Sequence, residues 1–260
     1  MRLLFFRHGD PDYEHDTLTP KGHIEAKLLS DIIGEFNIDE VYASPLGRAQ
    51  ATAEYSCKVL GKTPVTLDWL REFPAVADPN ISEEVRRAYS NELIRDEKTR
   101  EYSKRILWDV LPSYYMDHPE LFDRSGWREA EIVKASDMIE QYDKAVSGFE
   151  ALLEEHGYEK SGMAFKVRES NDKTLAFFCH FGITSLLISY LSNISPFVLW
   201  QFGAFAPTSV TEAVTEEREK GIAIFRTLRA GDITHLRIGH EEPSFSARFC
   251  ERFENSDERH

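Results

Sequence analysis

The opening stretch Met1-Arg-Leu-Leu-Phe-Phe-Arg-His-Gly-Asp10 decides how the rest of the chain is read. Residues 3–6 are four consecutive apolar side chains, and such a run reads as a strand buried on both faces of a parallel sheet. Gly9 comes just after it, and glycine permits the sharp turn by which a chain leaves such a strand. Arg7 and His8 are thereby placed at the carboxyl end of a buried strand, where open α/β sheets put their ligand crevice. A permanently charged guanidinium fork and an imidazole at that point suit a phosphate.

Working outward, Thr19-Pro20 combines a cap residue with a first-turn proline, a helix-start signal. Ile24, Leu28, Leu29, Ile32, Ile33 and Phe36 then recur at helical spacing, so this helix is expected to lay that face on the sheet. Residues 40–43 form a short strand, and Ser44-Pro45 reads as the cap and first-turn proline of a helix over 46–60 that carries Arg48 in its first turn. Strand, helix, strand, helix is the signature of a layered α/β fold. A brief strand near 65–67 leads to Trp69-Leu-Arg-Glu72.

From 74 to 135 the periodicity loosens into a charged, partly helical segment rich in large aromatics: Trp108, Tyr114, Tyr115, Phe122 and Trp127. It reads as an insertion over the carboxyl edge of the sheet, its aromatics either lining a substrate lid or forming a small core of their own. An amphipathic helix follows over 136–156, ended by Gly157. Residues 165–168 and 174–179 flank a polar turn and are expected to pair as a hairpin. The second of these runs ends on His180-Phe-Gly182, repeating the opening pattern of apolar strand, histidine and glycine, with a helix over 182–191 after it. Residues 209–215 and 222–228 alternate in β fashion around a turn at 217–221. The fold class expected is therefore α/β: a three-layer α/β/α sandwich with a mostly parallel central sheet, one domain over 1–260, and a largely helical insertion at about 74–135.

Composition narrows the function. A chain of 260 residues with 42% hydrophobic content can bury a sizeable core. The net charge of −14 should repel nucleic acid and anionic lipid, so an anionic substrate has to be caught by a local cationic pocket. No run approaches the ~20 apolar residues of a membrane span. Residues 3–6 are too few for a signal-peptide core, so a cytoplasmic location is expected. Cys57, Cys179 and Cys250, odd in number and far apart, suit reduced buried thiols. Asp10, Asp12, His15 and Asp16 read as a solvated rim loop in preference to a metal site, and His235 and His240 as surface residues. Gly61-Lys62-Thr63 lacks the first glycine of a phosphate-binding loop, Ser56 standing in its place, and it closes a helix instead of opening one.

Four features stand at or just beyond predicted strand ends, and together they resemble the histidine phosphatase superfamily, which includes the cofactor-dependent phosphoglycerate mutases. They are Arg7-His8-Gly9, Ser44-Pro-Leu-Gly-Arg48-Ala-Gln-Ala-Thr52-Ala, Leu70-Arg-Glu72 and His180-Phe-Gly182. The resemblance spans most of the chain in the family's order. It implies catalysis by His8, Glu72 and His180, with the substrate phosphate held by Arg7, Arg48, His180 and Gly9.

Those residue types match the chemistry. A phosphoryl group carries roughly two negative charges near neutral pH, and two guanidinium forks would clamp its oxygens. A neutral His8 would attack phosphorus and form a phosphohistidine. His180, if protonated, would add a cationic donor. Glu72, raised by apolar neighbours such as Trp69 and Phe73, would protonate the leaving alkoxide and then activate water. Glu83 or Glu84 would serve as acid if the chain folds back. The arginines supply the positive charge, so no metal or other cofactor is implied. Residues 207–209 would bring hydroxyls or amides near the phosphate.

The basic residues with which the mutase branch grips a substrate carboxylate are missing, Phe73-Pro-Ala-Val standing after Glu72. The asparagine that often follows the triplet in that branch is absent too. Hydrolysis is therefore favoured: a phosphomonoesterase acting on a small-molecule phosphate ester. The alternatives are a mutase-like phosphoryl transferase and a non-catalytic phospholigand-binding protein. The strand edge of the C-terminal hairpin would either support a homodimer or be covered by residues 243–253.

Overall fold

A computed structural model of the chain describes residues 1–90, 93–246 and 252–255. Cys250 lies outside them. In chain order, β1 (Arg2–Arg7) leads through a small hairpin, β2 (Pro11–Asp12) and β3 (Thr17–Leu18), into helix α1 (Pro20–Ile32). Then come β4 (Glu40–Ala43), α2 (Gly47–Leu60) and β5 (Val65–Thr66). A run of short elements follows: β6 (Val76–Ala77), α3 (Glu83–Ala88), β7 (Arg105–Ile106), α4 (Pro112–Asp117) and α5 (Glu131–Lys134). The long helix α6 (Met138–Glu155), β8 (Tyr158–Ser161), β9 (Ala164–Val167) and β10 (Thr174–Cys179) come next. The chain closes with α7 (Phe181–Ser192), α8 (Pro196–Phe202), β11 (Val210–Glu219), β12 (Ile222–Asp232) and α9 (Thr234–Ile238).

Two compact units are distinguishable. The first comprises 1–72, 153–184 and 204–260; the second comprises 73–152 and 185–203. The first contains one eight-stranded sheet ordered β5-β4-β10-β1-β11-β12-β9-β8. Its β5, β4, β10 and β1 run parallel, and β11, β12, β9 and β8 continue it in antiparallel fashion.

The two strands at the centre owe their place to their composition. Residues 175–179 of β10 and 3–6 of β1 are buried, as a strand with apolar side chains on both faces allows. On one face Leu4, Phe6 and Phe178 pack against Leu29, Ile33 and Phe36. On the other Phe5, Phe177 and Tyr42 stack ring on ring. Each fully buried Leu or Phe contributes roughly 1.5–3 kcal/mol, so the strand ends that carry the polar groups are firmly held.

Three local expectations are corrected. Residues 165–168 and 174–179 do not pair with each other: β9 pairs with β8 and β12, while β10 lies between β1 and β4. Helix α1 turns Ala26 and Leu29 inward, with Ile33 buried just beyond its end, but Ile24 is exposed and Glu25 is fully buried in its stead. Ser44 does not cap α2, whose N-cap is Leu46 without a side-chain bond. The Thr19 cap does form, its hydroxyl accepting from the Gly22 amide with Pro20 in the first turn.

Within the second unit Phe73, Trp108 and Trp200 pack with ring centroids 5.3–6.3 Å apart, and Trp127 packs on Tyr142 at 5.0 Å. Tyr114 and Trp127 are buried, so these two belong to that unit's own core. Glu84 is engaged there by His118 and Arg87. Among the described residues no helix is long and apolar enough to cross a membrane.

Candidate active site

The parallel strands β1, β10 and β4 end side by side, and each delivers a polar group at its carboxyl end. The His8 amide donates to the Cys179 carbonyl and the Ser44 amide to the Phe178 carbonyl, so the ladder continues one residue past each strand. Arg7, His8, Arg48 and His180 are all buried in this cluster. The imidazoles of His8 and His180 lie 5.0 Å apart, centroid to centroid.

The state of His8 follows from its partners. Nδ1 lies 2.7 Å from the Gly9 carbonyl, which can only accept, so Nδ1 carries the proton. Nε2 is then the basic nitrogen, and Arg48 Nε donates to it at 3.4 Å. Burial first, then the charge of Arg7, holds the imidazolium well below its ordinary range; the Gly9 bond opposes this and Arg48 adds to it. His8 is a neutral imidazole with a directed lone pair.

His180 Nε2 meets Ser44 Oγ at 2.7 Å. Burial, followed by the neighbouring His8, Arg48 and Arg7, drives its pKa well down, so the cationic form considered for it gives way to a neutral ring. Its Nδ1 is buried and has no partner among the described residues, and the same holds for Arg7 Nε. Arg7 Nε is a donor, and His180 Nδ1 is one in the tautomer whose Nε2 accepts from Ser44; a phosphoryl group would satisfy both.

Arg7 is anchored at one corner. Nη1 donates to the carbonyls of Phe205 at 2.6 Å and Ser246 at 3.0 Å, and Nη2 reaches Ser246 Oγ at 3.4 Å. Burial pulls its pKa down, while the charge of Glu72 favours the guanidinium. Glu72 is thus brought near the cluster. Its Oε1 accepts the amides of Gly182 at 2.9 Å and Ile183 at 3.2 Å, capping the start of α7.

The Gly9 amide donates to Thr52 Oγ1 at 3.0 Å and its carbonyl accepts from His8 Nδ1, so both backbone polar groups are engaged within the protein. A turn does not demand glycine there. A Cβ on Gly9 would lie 2.6 Å from the Gly22 carbonyl oxygen, so the constraint is close approach to α1. Thr52 in turn donates to the Arg48 carbonyl at 2.8 Å, tying triplet and arginine helix together.

The segment 207–209 supports the backbone of the site. The Thr208 amide donates to the carbonyls of both Arg7 and His8 at 3.1 Å, and the Ser209 carbonyl accepts the Arg7 amide. Thr208 stands at φ +57°, a left-handed conformation unusual for a β-branched residue. Its hydroxyl meets Nε2 of His235 at 2.9 Å. His235 is therefore a buried residue, contrary to the surface position expected, and burial lowers its pKa to about 4.

Sequence reasoning missed Glu25, Ser244 and Ser246, and misread Ser44. The C-terminal residues contact Arg7 and Asp10 across more than 230 positions, a separation at which no local signal operates. Ser44 did carry a signal, since a serine at a strand end ahead of an arginine serves a crevice as readily as a helix cap. The carboxylates of the rim loop go to separate partners: Asp12 to His15, Asp16 to Arg48, and Asp10 to Thr19 and Ser244.

This geometry agrees with the comparisons. The family model described as the histidine phosphatase superfamily (branch 1) matches residues 3–105. Over those residues the chain matches the histidine phosphatase superfamily. A phosphoserine phosphatase from Entamoeba histolytica, solved with phosphoserine, superposes with a TM-score of 0.56 at 16% identity, over 90% of this chain and 98% of that one. A mycobacterial glucosyl-3-phosphoglycerate phosphatase solved with VO3 gives a TM-score of 0.51 at 16% identity, over 89% and 99%. At such identities these two establish the shared histidine phosphatase fold. No curated protein sequence matches the chain.

Proposed function

We propose that the protein is a phosphomonoesterase that works through a phosphohistidine at His8. The observation that carries this reading is the fixed tautomer of His8: Nδ1–H is bound to Gly9 and the bare Nε2 faces the Arg48 guanidinium. A nucleophile and a phosphate clamp then share one buried point. The phosphoryl oxygens would take the donors of Arg7 and Arg48, with the neutral His180 as a further donor. Nε2 attacks phosphorus as the bond to the leaving oxygen breaks, and the charge spreading over the equatorial oxygens is met by the two guanidinium groups. Glu72, anchored through Oε1, exchanges its proton at the remaining oxygen: it protonates the departing alkoxide and then takes a proton from the water that cleaves the phosphohistidine. Inorganic phosphate leaves and His8 returns to its starting tautomer.

Small phosphorylated metabolites are the substrate class we favour. The phosphatases that share the fold act, by their names, on phosphoserine and glucosyl-3-phosphoglycerate.

Hydrolysis of phosphoserine, 3-phosphoglycerate and aryl phosphates, with and without chelator, tests the proposal against His8→Ala. Loss of turnover by on the order of 10³-fold or more is expected for the variant, as when a nucleophile is removed, together with an acid-labile phosphoenzyme in the wild type alone. Unchanged turnover in His8→Ala would sink the mechanism, and a phosphoenzyme stable to water but discharged by a second substrate would make the protein a transferase. Glu72→Gln should slow alkyl phosphates by roughly 10²–10⁴-fold and aryl phosphates with good leaving groups far less. Equal slowing would move the acid elsewhere.

A further inference from the structure

Arg48 is held from outside by a carboxylate that the reaction above does not use. Its Nη1 donates to Asp16 Oδ1 at 2.7 Å, and Oδ2 of the same carboxylate accepts the Gly47 amide, also at 2.7 Å. One side chain therefore bridges the guanidinium and the first backbone amide of α2. An arginine in the first turn opposes the helix dipole, whereas an aspartate at that end complements it. Asp16 supplies the counter-charge that makes the placement of Arg48 tolerable.

The backbone is shaped to bring the carboxylate there. Asp16 adopts φ +47°, a left-handed conformation that aspartate accepts more readily than most residues. A Cβ on Gly47 would fall 2.1 Å from the Asp16 carbonyl oxygen, so only glycine admits the loop this close. With Nη1 held by Asp16, Nε is directed at Nε2 of His8. The Tyr13 ring lies over the guanidinium at 5.4 Å. Arg7 is tied in the same manner, at Nη1, by two carbonyls. In each arginine one corner is fixed by the protein, and in Arg48 the fixed corner is held by charge.

We propose that Asp16 is a positioning residue for catalysis: it grips Nη1 of Arg48 so that the Nε–Nη2 edge meets the phosphoryl oxygens beside His8. This rests on the phosphomonoesterase reading. Without Asp16 the guanidinium keeps its charge but loses its orientation, so transition-state stabilisation falls more than ground-state binding.

The test is a double-mutant cycle on the full chain, with kcat and KM measured for an aryl phosphate. Asp16→Ala should lower kcat on the order of 10- to 100-fold, the scale of a misplaced positioning group, with a smaller change in KM. In an Arg48→Ala background the same substitution should change kcat less than about twofold, because the two residues act as one unit. Asp16→Asn keeps one acceptor oxygen and should recover part of the loss. Gly47→Ala, which displaces the loop without altering charge, should reproduce the loss and serves as the second variant if Asp16→Ala does not fold. Equal losses in the wild-type and Arg48→Ala backgrounds, or an unchanged kcat in Asp16→Ala, would overturn the proposal. A wild type without turnover refutes the phosphomonoesterase reading instead. Orthovanadate binding by calorimetry then reads the same coupling, and additive effects of the two substitutions on that affinity would overturn the role of Asp16.

Discussion

Glu25 offers a stability prediction whose size can be worked from the structure. It lies on α1 with no exposed surface. Its Oε2 accepts the Asp10 amide at 2.7 Å, just after the histidine triplet, and its Oε1 accepts the Ser244 amide at 3.1 Å. Burial outweighs both bonds and raises the carboxyl pKa from 4.5 to about 6; the charge of Asp10 adds to the rise and Lys21 opposes it. A folded-state pKa above the unfolded value means that the native protein binds the proton more tightly. The associated stability is fully present below pH 4.5 and is lost as pH rises to about 6. The difference of about 1.5 units corresponds to about 2 kcal/mol at 1.36 kcal/mol per unit. Glu25→Gln keeps the shape of the side chain and removes the titration. Urea unfolding followed by circular dichroism between pH 4 and 7.5 then gives a difference, wild type minus variant, that isolates this group. That difference should decline by about 2 kcal/mol across the interval and stay level above it. A flat difference, or one that rises with pH, would refute the reasoning.

Three further outcomes follow from the same kind of argument. His8 is held neutral well below its ordinary range, so the pH profile of kcat/KM, once the substrate's own ionisation is divided out, should show no acid limb near 6.5; such a limb persisting in Glu25→Gln would contradict the neutral nucleophile. Burial pushes the Cys179 thiol up to about 12 and raises that of Cys57, so neither should be alkylated by iodoacetamide in the folded protein at pH 8, as mass spectrometry of digests can check. At Thr208 both Ala and Gly remove the hydroxyl, but only Gly relaxes the left-handed backbone, worth roughly 1–2 kcal/mol; Thr208→Gly should be the more stable of the two by thermal melting, and the reverse order would mean that no strain is held there.

What was legible in the sequence and what was not divide along sequence separation. The strands β1, β4 and β10 and the helices α1 and α2 were readable because a buried run, a Thr-Pro cap and an apolar face are local facts. Pairing residues 174–179 in a hairpin overlooks one such fact, the apolar run at 175–179. All six are buried, and a strand covered on both faces belongs between parallel neighbours, not at the tip of a two-stranded ribbon. Glu25 and His235 defeated local reading for another reason. A charged residue on a helix and a histidine in a charged segment look solvated until the chain returns, Ser244 to Glu25 and Thr208 to His235.

Ser44 shows why the site was nonetheless found. Local rules assign its hydroxyl to cap α2, and the Leu46 amide does reach it at 3.2 Å. Yet at 2.7 Å the same oxygen meets His180, 136 positions away. The candidate site is built from residues that each look ordinary alone and are brought together by the parallel pairing of β1, β10 and β4, whose register sets Arg7 beside Cys179 and Phe178 beside Ala43. Register in this sheet is fixed by packing on both apolar faces, since a slip of one residue would exchange the side chains of one face for those of the other. The apolar run at 3–6 therefore does more than carry Arg7 and His8. By fixing register against β10, which in turn registers on β4, it places them beside His180 and Ser44, and the packing of the core thereby determines the geometry of the chemistry.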